Sequence, residues 1–380
     1  MKNISSSRLR KIQIWTPGKT SYEFNSLDLK ANPHPFIDLA SNDYLGLTRH
    51  PELIEAAYSS IQTNGVGSGS SRLITGTRPI HSELEGSLAE WLGRDQVFLF
   101  PSGFQANIAA VIALSNRHTP VIADRLIHHS LLVGVQASGS KLERFAHNDL
   151  SDLERRLARS RKVNPQESPL VLTESLFSME GTSPEVKTMV DICIKYEAKL
   201  LIDEAHALGI IGQEGKGLCF GLSDGISIIS GTFGKAFGSG GAFLACNKET
   251  GERLLQSSGA FRYTTALAPP LTAAALAALQ LIKANPVWGK ELQNNSDTWR
   301  NHLQNHGWER PYGNGPIIPL LVGSDCKAIH LQKQLKEDGL LCIAIRPPTV
   351  PEGTSRLRIV IRRNLPDQTL QTFLTALSKK

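Results

Sequence analysis

The sequence predicts an α/β fold, in which a mainly parallel sheet in a large domain is covered by helices on both faces and followed by a smaller α+β C-terminal domain. Three observations carry this. Between about Glu83 and Leu244, short apolar runs alternate with helix-period segments, the pattern of βαβ units whose strands are buried on both faces. The Pro269-Pro270 pair then opens a long helical stretch, Leu271 to Ala284. Beyond it the order becomes strand, helix, strand, strand, helix, a separate α+β unit rather than a continuation of the parallel sheet.

Taken in order, residues 1–45 read as an N-terminal arm, 46–275 as the large domain and 276–380 as the small one. In the large domain, buried-type apolar runs predict strands at Val97–Phe100, Pro120–Ala123, Leu170–Leu172, Lys199–Ile202, Ile226–Ile229 and Gly241–Ala245. Apolar residues at the helical period predict helices at Gln105–Leu114, Leu150–Ala158 and Val186–Ala198. The C-terminal block is expected to run as strand Ile317–Val322, helix Cys326–Asp338, strands Leu340–Ile345 and Arg356–Ile361, and helix Asp367–Leu377. Sites in such folds gather at the carboxyl ends of the strands.

Composition narrows the class. The 380 residues are 41% apolar and 20% charged, as in ordinary globular chains, and carry a formal net charge of +6. That charge alone fits nucleic acid, an anionic membrane surface or polyanionic small molecules. The basic residues are spread, with no aromatic-basic interleaving, so no nucleic-acid partner is expected. Five cysteines with no C-x-x-C pair argue against a disulfide framework or a zinc site and for a reducing, cytoplasmic compartment. Met1 to Arg10 is polar and basic, without a secretory apolar core. The longest apolar stretch, Leu271 to Ile282, is broken by Thr272 and Gln280 and falls short of the ~20 residues a membrane span needs.

Two stretches carry chemistry. In Ile226-Ser-Ile-Ile-Ser-Gly-Thr-Phe-Gly-Lys235-Ala-Phe-Gly-Ser-Gly-Gly241, a lysine follows a buried-type strand among small residues that let a flat ligand approach the backbone. A nucleotide P-loop is excluded, because Ile229 stands where that pattern needs glycine. Upstream, Leu200-Leu-Ile-Asp203-Glu204-Ala-His206 ends an apolar strand in carboxylate, carboxylate, small residue, imidazole. An aspartate there must be paired, since an isolated buried charge is costly. No third ligand at suggestive spacing supports a metal. Together, a lysine able to form a Schiff base and an aspartate able to face a pyridinium nitrogen meet the electronic needs of pyridoxal phosphate.

These residues, Asp203-Glu-Ala-His206 followed by Gly-Thr-Phe-Gly-Lys235, resemble the α-oxoamine synthases, pyridoxal-phosphate enzymes that join an amino acid to an acyl-CoA. The resemblance extends through Ser41-Asn-Asp-Tyr-Leu-Gly-Leu47, Gly65-Val-Gly-Ser-Gly-Ser-Ser-Arg72, Pro101-Ser-Gly-Phe104-Gln-Ala-Asn107, Ala123-Asp-Arg-Leu-Ile-His128, Phe177-Ser178-Met179 and Arg346-Pro-Pro-Thr349-Val-Pro351. It implies a fold-type I transferase and a homodimer with its active sites at the subunit interface. It also implies that Gly103, Phe104 and Thr232 hold the cofactor phosphate, with Thr264 or Thr265 reaching it from the partner subunit. By the same resemblance His128 would be the residue stacked on the ring and, as catalytic group, a proton donor; Ser178 and His206 would meet the phenolic oxygen, Asp203 the pyridinium, and Lys235 the cofactor aldehyde. Asn42 and Arg358 match positions that hold the amino-acid carboxylate, and Thr349 a position touching substrate. The family's N-terminal substrate arginine falls on Arg8 or Arg10, and the distance to Asn42 favours Arg10.

Ala344-Ile-Arg-Pro-Pro-Thr-Val-Pro351 and Arg144-Phe-Ala-His-Asn-Asp149 resemble the branch that condenses L-alanine with a pimeloyl thioester of CoA or of an acyl carrier protein. Sister branches use glycine with acetyl-CoA or succinyl-CoA. His129, His81 and His147 are expected to play ordinary structural parts. A serine-hydrolase alternative has one handle, Gly221-Leu-Ser223-Asp-Gly225. A nucleophile elbow needs a strand before the serine and a helix after it. Here the apolar run follows, so that reading is not expected to hold.

Overall fold

In the computed structural model of the protein, residues 12–26 and 35–378 are described. They fall into two compact units: one holds Leu47–Phe177 and Ser183–Gly289, the other the residues up to Gly46, Ser178–Thr182 and Lys290 onward.

The first elements among the described residues are three short strands, β1 (Trp15–Pro17), β2 (Glu23–Ser26) and β3 (Phe36–Asp38). The larger unit follows with α1 (Pro51–Asn64) and α2 (Pro79–Leu92), each opened by a proline whose fixed φ suits a first helical turn. Then β4 (Gln96–Phe100), α3 (Gly103–Leu114), β5 (Pro120–Asp124), α4 (His129–Ser138), β6 (Lys141–Phe145), α5 (Leu150–Val163), β7 (Leu170–Glu174), α6 (Val186–Lys195) and β8 (Lys199–Asp203) alternate. The unit closes with β9 (Ile228–Thr232), β10 (Ala242–Cys246), α7 (Lys248–Ser257), α8 (Gly259–Arg262) and α9 (Pro269–Ala284).

Its sheet has the order β4-β10-β9-β8-β7-β5-β6. β10 runs antiparallel to both its neighbours, and the remaining strands share one direction. Apolar runs become strands here because both faces are covered: every residue of β7 and β10 is buried. α3 lies against the sheet with Ala106, Ala109, Ala110 and Val111 fully buried, and Asn107 is the one polar side chain among its buried residues. α4 packs closely on α3 at Gly134, where a Cβ would stand 2.8 Å from Cβ of Val111 and 3.3 Å from Cα of Ile108.

Some boundaries differ from the sequence expectation for physical reasons. The strand expected over Ile226–Ile229 is Ile228–Thr232: the Ile226 carbonyl is taken by the Arg94 guanidinium at 2.7 Å. The strand continues past its apolar run through Gly231, which packs under the Phe243 ring. β6, at the sheet edge, is not among the expected strands because its Lys-Leu-Glu-Arg-Phe text is that of a charged edge strand.

The second unit contains α10 from Lys290 onward (the helix spans Trp288–Asn305), β11 (Ile317–Gly323), α11 (Asp325–Glu337), β12 (Leu340–Leu341), β13 (Ile343–Ile345), β14 (Ser355–Val360) and α12 (Thr369–Ser378). The single strand expected over Leu340–Ile345 is two strands. Leu340–Leu341 pairs in parallel with β3, and Ile343–Ile345 pairs antiparallel with β14, so the chain changes sheets at buried Cys342. The sheets are β1-β2-β3-β12 and β11-β14-β13. Arg362 joins them: its buried guanidinium meets Asp38 at 2.7 Å and Asp43 at 2.9 Å and donates to the Ser21 carbonyl at 2.8 Å.

Candidate active site

Parallel strands deliver their last residues to one end of the sheet, and four of these are polar: Asp124 of β5, Glu174 of β7, Asp203 of β8 and Thr232 of β9. Asp124 is consumed structurally. It accepts from the backbone N–H groups of Leu126 and Asn148, both at 2.8 Å, and lies 3.0 Å from the His147 ring. The other three line a cavity of about 200 Å³ together with Gly103, Phe104, Asn107, His128, His206 and Lys235.

Asp203 is almost fully buried, and its charge is held by two donors: the Ala205 N–H at 2.9 Å on Oδ1 and the Asn107 amide at 2.7 Å on Oδ2. Glu174 stands opposite Asp203 in the β7–β8 ladder. The amine of Lys235 lies 2.7 Å from Nε2 of His206. His128 caps the start of α4, its Nδ1 accepting from the Ser130 N–H at 3.3 Å and lying 2.7 Å from the Ser130 hydroxyl. Burial lowers the His128 pKa, Asp203 opposes that shift, and Lys235 and His129 reinforce it. At the mouth, Phe104 meets the His128 ring edge-on, 6.4 Å between centroids.

One wall of the cavity is the start of α3. Ser102 caps α3 by accepting from the Gln105 N–H at 3.3 Å, and the first-turn N–H groups of Gly103 and Phe104 have no partner within the helix. Such a helix start suits an anion. Thr232 Oγ1 lies beside it, accepting from the Gly234 N–H at 3.2 Å and donating to the Gly241 carbonyl at 3.1 Å. A buried carboxylate, a lysine amine, an imidazole and a helix N-terminus in one cavity form a donor set that fits pyridoxal phosphate.

Glu204, next to Asp203, leaves the cavity and ties a following loop to the strand end. Its carboxylate accepts from the backbone N–H groups of Leu218 at 2.7 Å and Cys219 at 3.3 Å. Full burial pushes its pKa up to about 7. Gly217 is required there, with φ +86° and a Cβ position only 2.2 Å from the Glu204 carboxylate.

The remaining expected site residues are not among those that line this cavity. In the second unit, Arg358 donates to Asn42 Oδ1 at 2.9 Å and to the Ser178 carbonyl at 2.7 Å. Burial pushes the neighbouring Tyr44 hydroxyl up to about 12, against the opposing charge of Arg358. Thr349 sits in a turn, its N–H bonded to the Arg346 carbonyl at 3.1 Å. Thr264 and Thr265 line a different concavity of about 320 Å³, with Ser71, Ile74 and Tyr263. Arg10 and Arg8 lie outside the described residues. His81 is a buried histidine bonded to the Leu267 carbonyl at 2.7 Å and to the Arg78 N–H at 2.9 Å, and His129 opens α4.

Sequence reasoning gave no role to Asn107 or Ser130, which join Asp203 to His128. Their signal was a lone asparagine in an otherwise apolar helix and a serine two residues after a capping histidine.

Two competing readings fail on geometry. A larger concavity, about 490 Å³, lies by Arg94, Lys199, Asp224 and Ser227 at the amino ends of β8 and β9, the wrong end of the sheet for an α/β site. Ser223–Gly225 is a short 3₁₀ turn leading into β9, with no strand before it, so the nucleophile elbow is absent. Among the described residues there is no cluster of metal-binding side chains and no helix long and apolar enough to cross a membrane.

This sheet, with a lysine and an aspartate at its carboxyl ends, defines a fold-type I pyridoxal-phosphate-dependent transferase. The chain belongs to the aminotransferase class I and II family, whose pattern matches residues 34–377. It is 42% identical over 330 residues to the 8-amino-7-oxononanoate synthase of Nitrosomonas eutropha, covering 85% of this chain and 84% of that one. Among solved structures, a serine palmitoyltransferase variant from S. paucimobilis, with bound PLP-myriocin aldimine, superposes with a TM-score of 0.90 at 27% identity, covering 96% of this chain and 91% of that one. The 8-amino-7-oxononanoate synthase of Francisella tularensis gives a TM-score of 0.76 at 27% identity, covering 90% and 96%.

Proposed function

We propose that this chain carries 8-amino-7-oxononanoate synthase activity, the decarboxylative condensation of L-alanine with a pimeloyl thioester of CoA or of an acyl carrier protein. One C–C bond forms between the alanine Cα and the thioester carbonyl, the thiol leaves, and the alanine carboxylate departs as CO₂. The observation that carries this reading is the buried Asp203 carboxylate, fixed by Asn107 and Ala205, in one cavity with the Lys235 amine. The 42% identity to a synthase of that name supports the substrate pair.

Pyridoxal phosphate, when bound, supplies an electron sink for the alanine Cα. Asp203 would keep the ring nitrogen protonated, His206 and Ser178 would meet the phenolic oxygen, and Gly103, Phe104 and Thr232 the phosphate. Lys235 would hold the cofactor through its amine and, once free, would take the Cα proton as general base. His128 would face the ring and would return a proton to the substrate carbon after CO₂ is lost. Arg358 and Asn42 are assigned to the alanine carboxylate, a charge-assisted pairing suited to a planar guanidinium, with Thr349 and Arg10 touching substrate.

The reading includes a cytoplasmic homodimer in which Thr264 and Thr265 serve the partner's phosphate. Ile74 and Tyr263, beside those threonines, are 75% and 80% exposed, apolar surface of the kind a second copy covers.

Thiol release with alanine, glycine and serine against pimeloyl, acetyl and succinyl thioesters tests the assignment. Alanine with a pimeloyl thioester should be fastest. Inactivity of alanine with both pimeloyl-CoA and the pimeloyl carrier protein would overturn it.

A further inference from the structure

We propose that Asn107 and Ser130 form a directed hydrogen-bond relay that fixes His128 as its Nε2–H tautomer, so that Asp203 and His128 are positioned by one chain of bonds. The direction follows from donor inventory. The Asn107 amide nitrogen only donates: one hydrogen goes to Asp203 Oδ2 at 2.7 Å and the other to Ser130 Oγ at 2.9 Å. An ionised carboxylate only accepts, so Asp203 fixes which way the Asn107 amide faces. Ser130 Oγ is thereby used as an acceptor, and its own hydrogen is left for His128 Nδ1 at 2.7 Å.

A second donor meets the same ring atom. The Ser130 backbone N–H reaches Nδ1 at 3.3 Å as the capping bond of α4. A nitrogen accepting from two donors carries no proton, which leaves the neutral ring protonated at Nε2. Protonating Nδ1 would break both bonds and place a positive charge at the positive end of a ten-residue helix. Three of the four residues are held by packing: Asn107, Ser130 and Asp203 are 2%, 0% and 6% exposed, and α3 and α4 meet without a gap at Gly134.

In catalysis the consequence is that His128 meets the reacting centre as a donor at Nε2. Use of that donor rests on the proposed reaction, whereas the tautomer does not. Asn107 and Ser130 are positioning residues, acting through Asp203 and His128.

The test is nitrogen-15 NMR of the histidine-labelled full chain, with and without pyridoxal phosphate, the His128 signals assigned by their loss in His128→Gln. The parent should show Nδ1 unprotonated and Nε2 protonated in both states. Ser130→Ala should give a mixture of tautomers and raise the His128 titration midpoint toward the ordinary value of about 6.5, and Ser130→Thr should restore the parent spectrum. Asn107→Ala, which frees the Ser130 hydroxyl to turn, should also mix the tautomers. A protonated Nδ1 in the parent would overturn the relay. So would a Ser130→Ala spectrum and titration identical to the parent's. A parent with unprotonated Nδ1 that fails to use alanine and pimeloyl thioesters would support the relay while overturning the reaction.

Discussion

The Lys235 amine lies 2.7 Å from Nε2 of His206, two side chains 29 residues apart brought together at the carboxyl ends of adjacent strands β8 and β9. Lys235→Ala should lose both the visible absorbance of bound pyridoxal phosphate and turnover. His206→Ala should keep the absorbance and bind the cofactor about three- to tenfold more weakly, the worth of one ordinary hydrogen bond. Titration of each purified variant with pyridoxal phosphate, followed by absorbance, checks both.

Asp203 has two donors fixed on its two oxygens, so an amide cannot replace it without meeting an N–H head-on. Asp203→Asn should fold and retain some cofactor while turnover drops about 10²-fold or more, the scale of losing one preorganised electrostatic partner. Thiol-release kinetics beside cofactor occupancy separate the two effects. Parent-like turnover would remove Asp203 from the ring nitrogen.

Glu204 makes stability depend on pH in a definite direction. Its folded pKa, about 7, lies above its ordinary value of 4.5, so the native state holds the proton more tightly than the unfolded chain. Its contribution is complete below about 4.5 and is lost as pH rises through 7. Glu204→Gln cannot ionise, so its stability relative to the parent should improve between pH 5 and pH 8, by up to about 3 kcal/mol. Paired urea melts at the two pH values check this, and parallel curves would contradict it.

Gly134 sits where α4 meets α3, and a Cβ there would stand 2.8 Å from Val111 Cβ. Gly134→Ala should cost about 1–3 kcal/mol by overpacking, despite the better helix propensity of alanine. Because α4 begins at the cap residue His128, thiol release should fall as well, and a melt and an assay on one sample report both.

The parallel strands were legible because burial on both faces turns them into continuous apolar runs, as in Leu170–Leu172 and Lys199–Ile202. β6 was not, since an edge strand carries charge, nor was the division of Leu340–Ile345, which depends on two sheets competing for one segment. Lys235, Asp203 and His206 could be named from order and spacing, and His128, Gly103, Phe104 and Thr232 from the family resemblance alone; the fold gathers all of them around one cavity. Asn107 and Ser130 carry no such local mark. Their importance arises only when α3 and α4 pack together and bring a helix-interior amide between a strand-end carboxylate and a capping histidine.

The most direct test of the central claim follows the carboxylate of alanine. With alanine labelled at its carboxyl carbon and a pimeloyl thioester, the account predicts that the label leaves entirely as CO₂, one per thiol released, and that the product has the mass of unlabelled 8-amino-7-oxononanoate. A product that retains the label, or thiol release without CO₂, would contradict it.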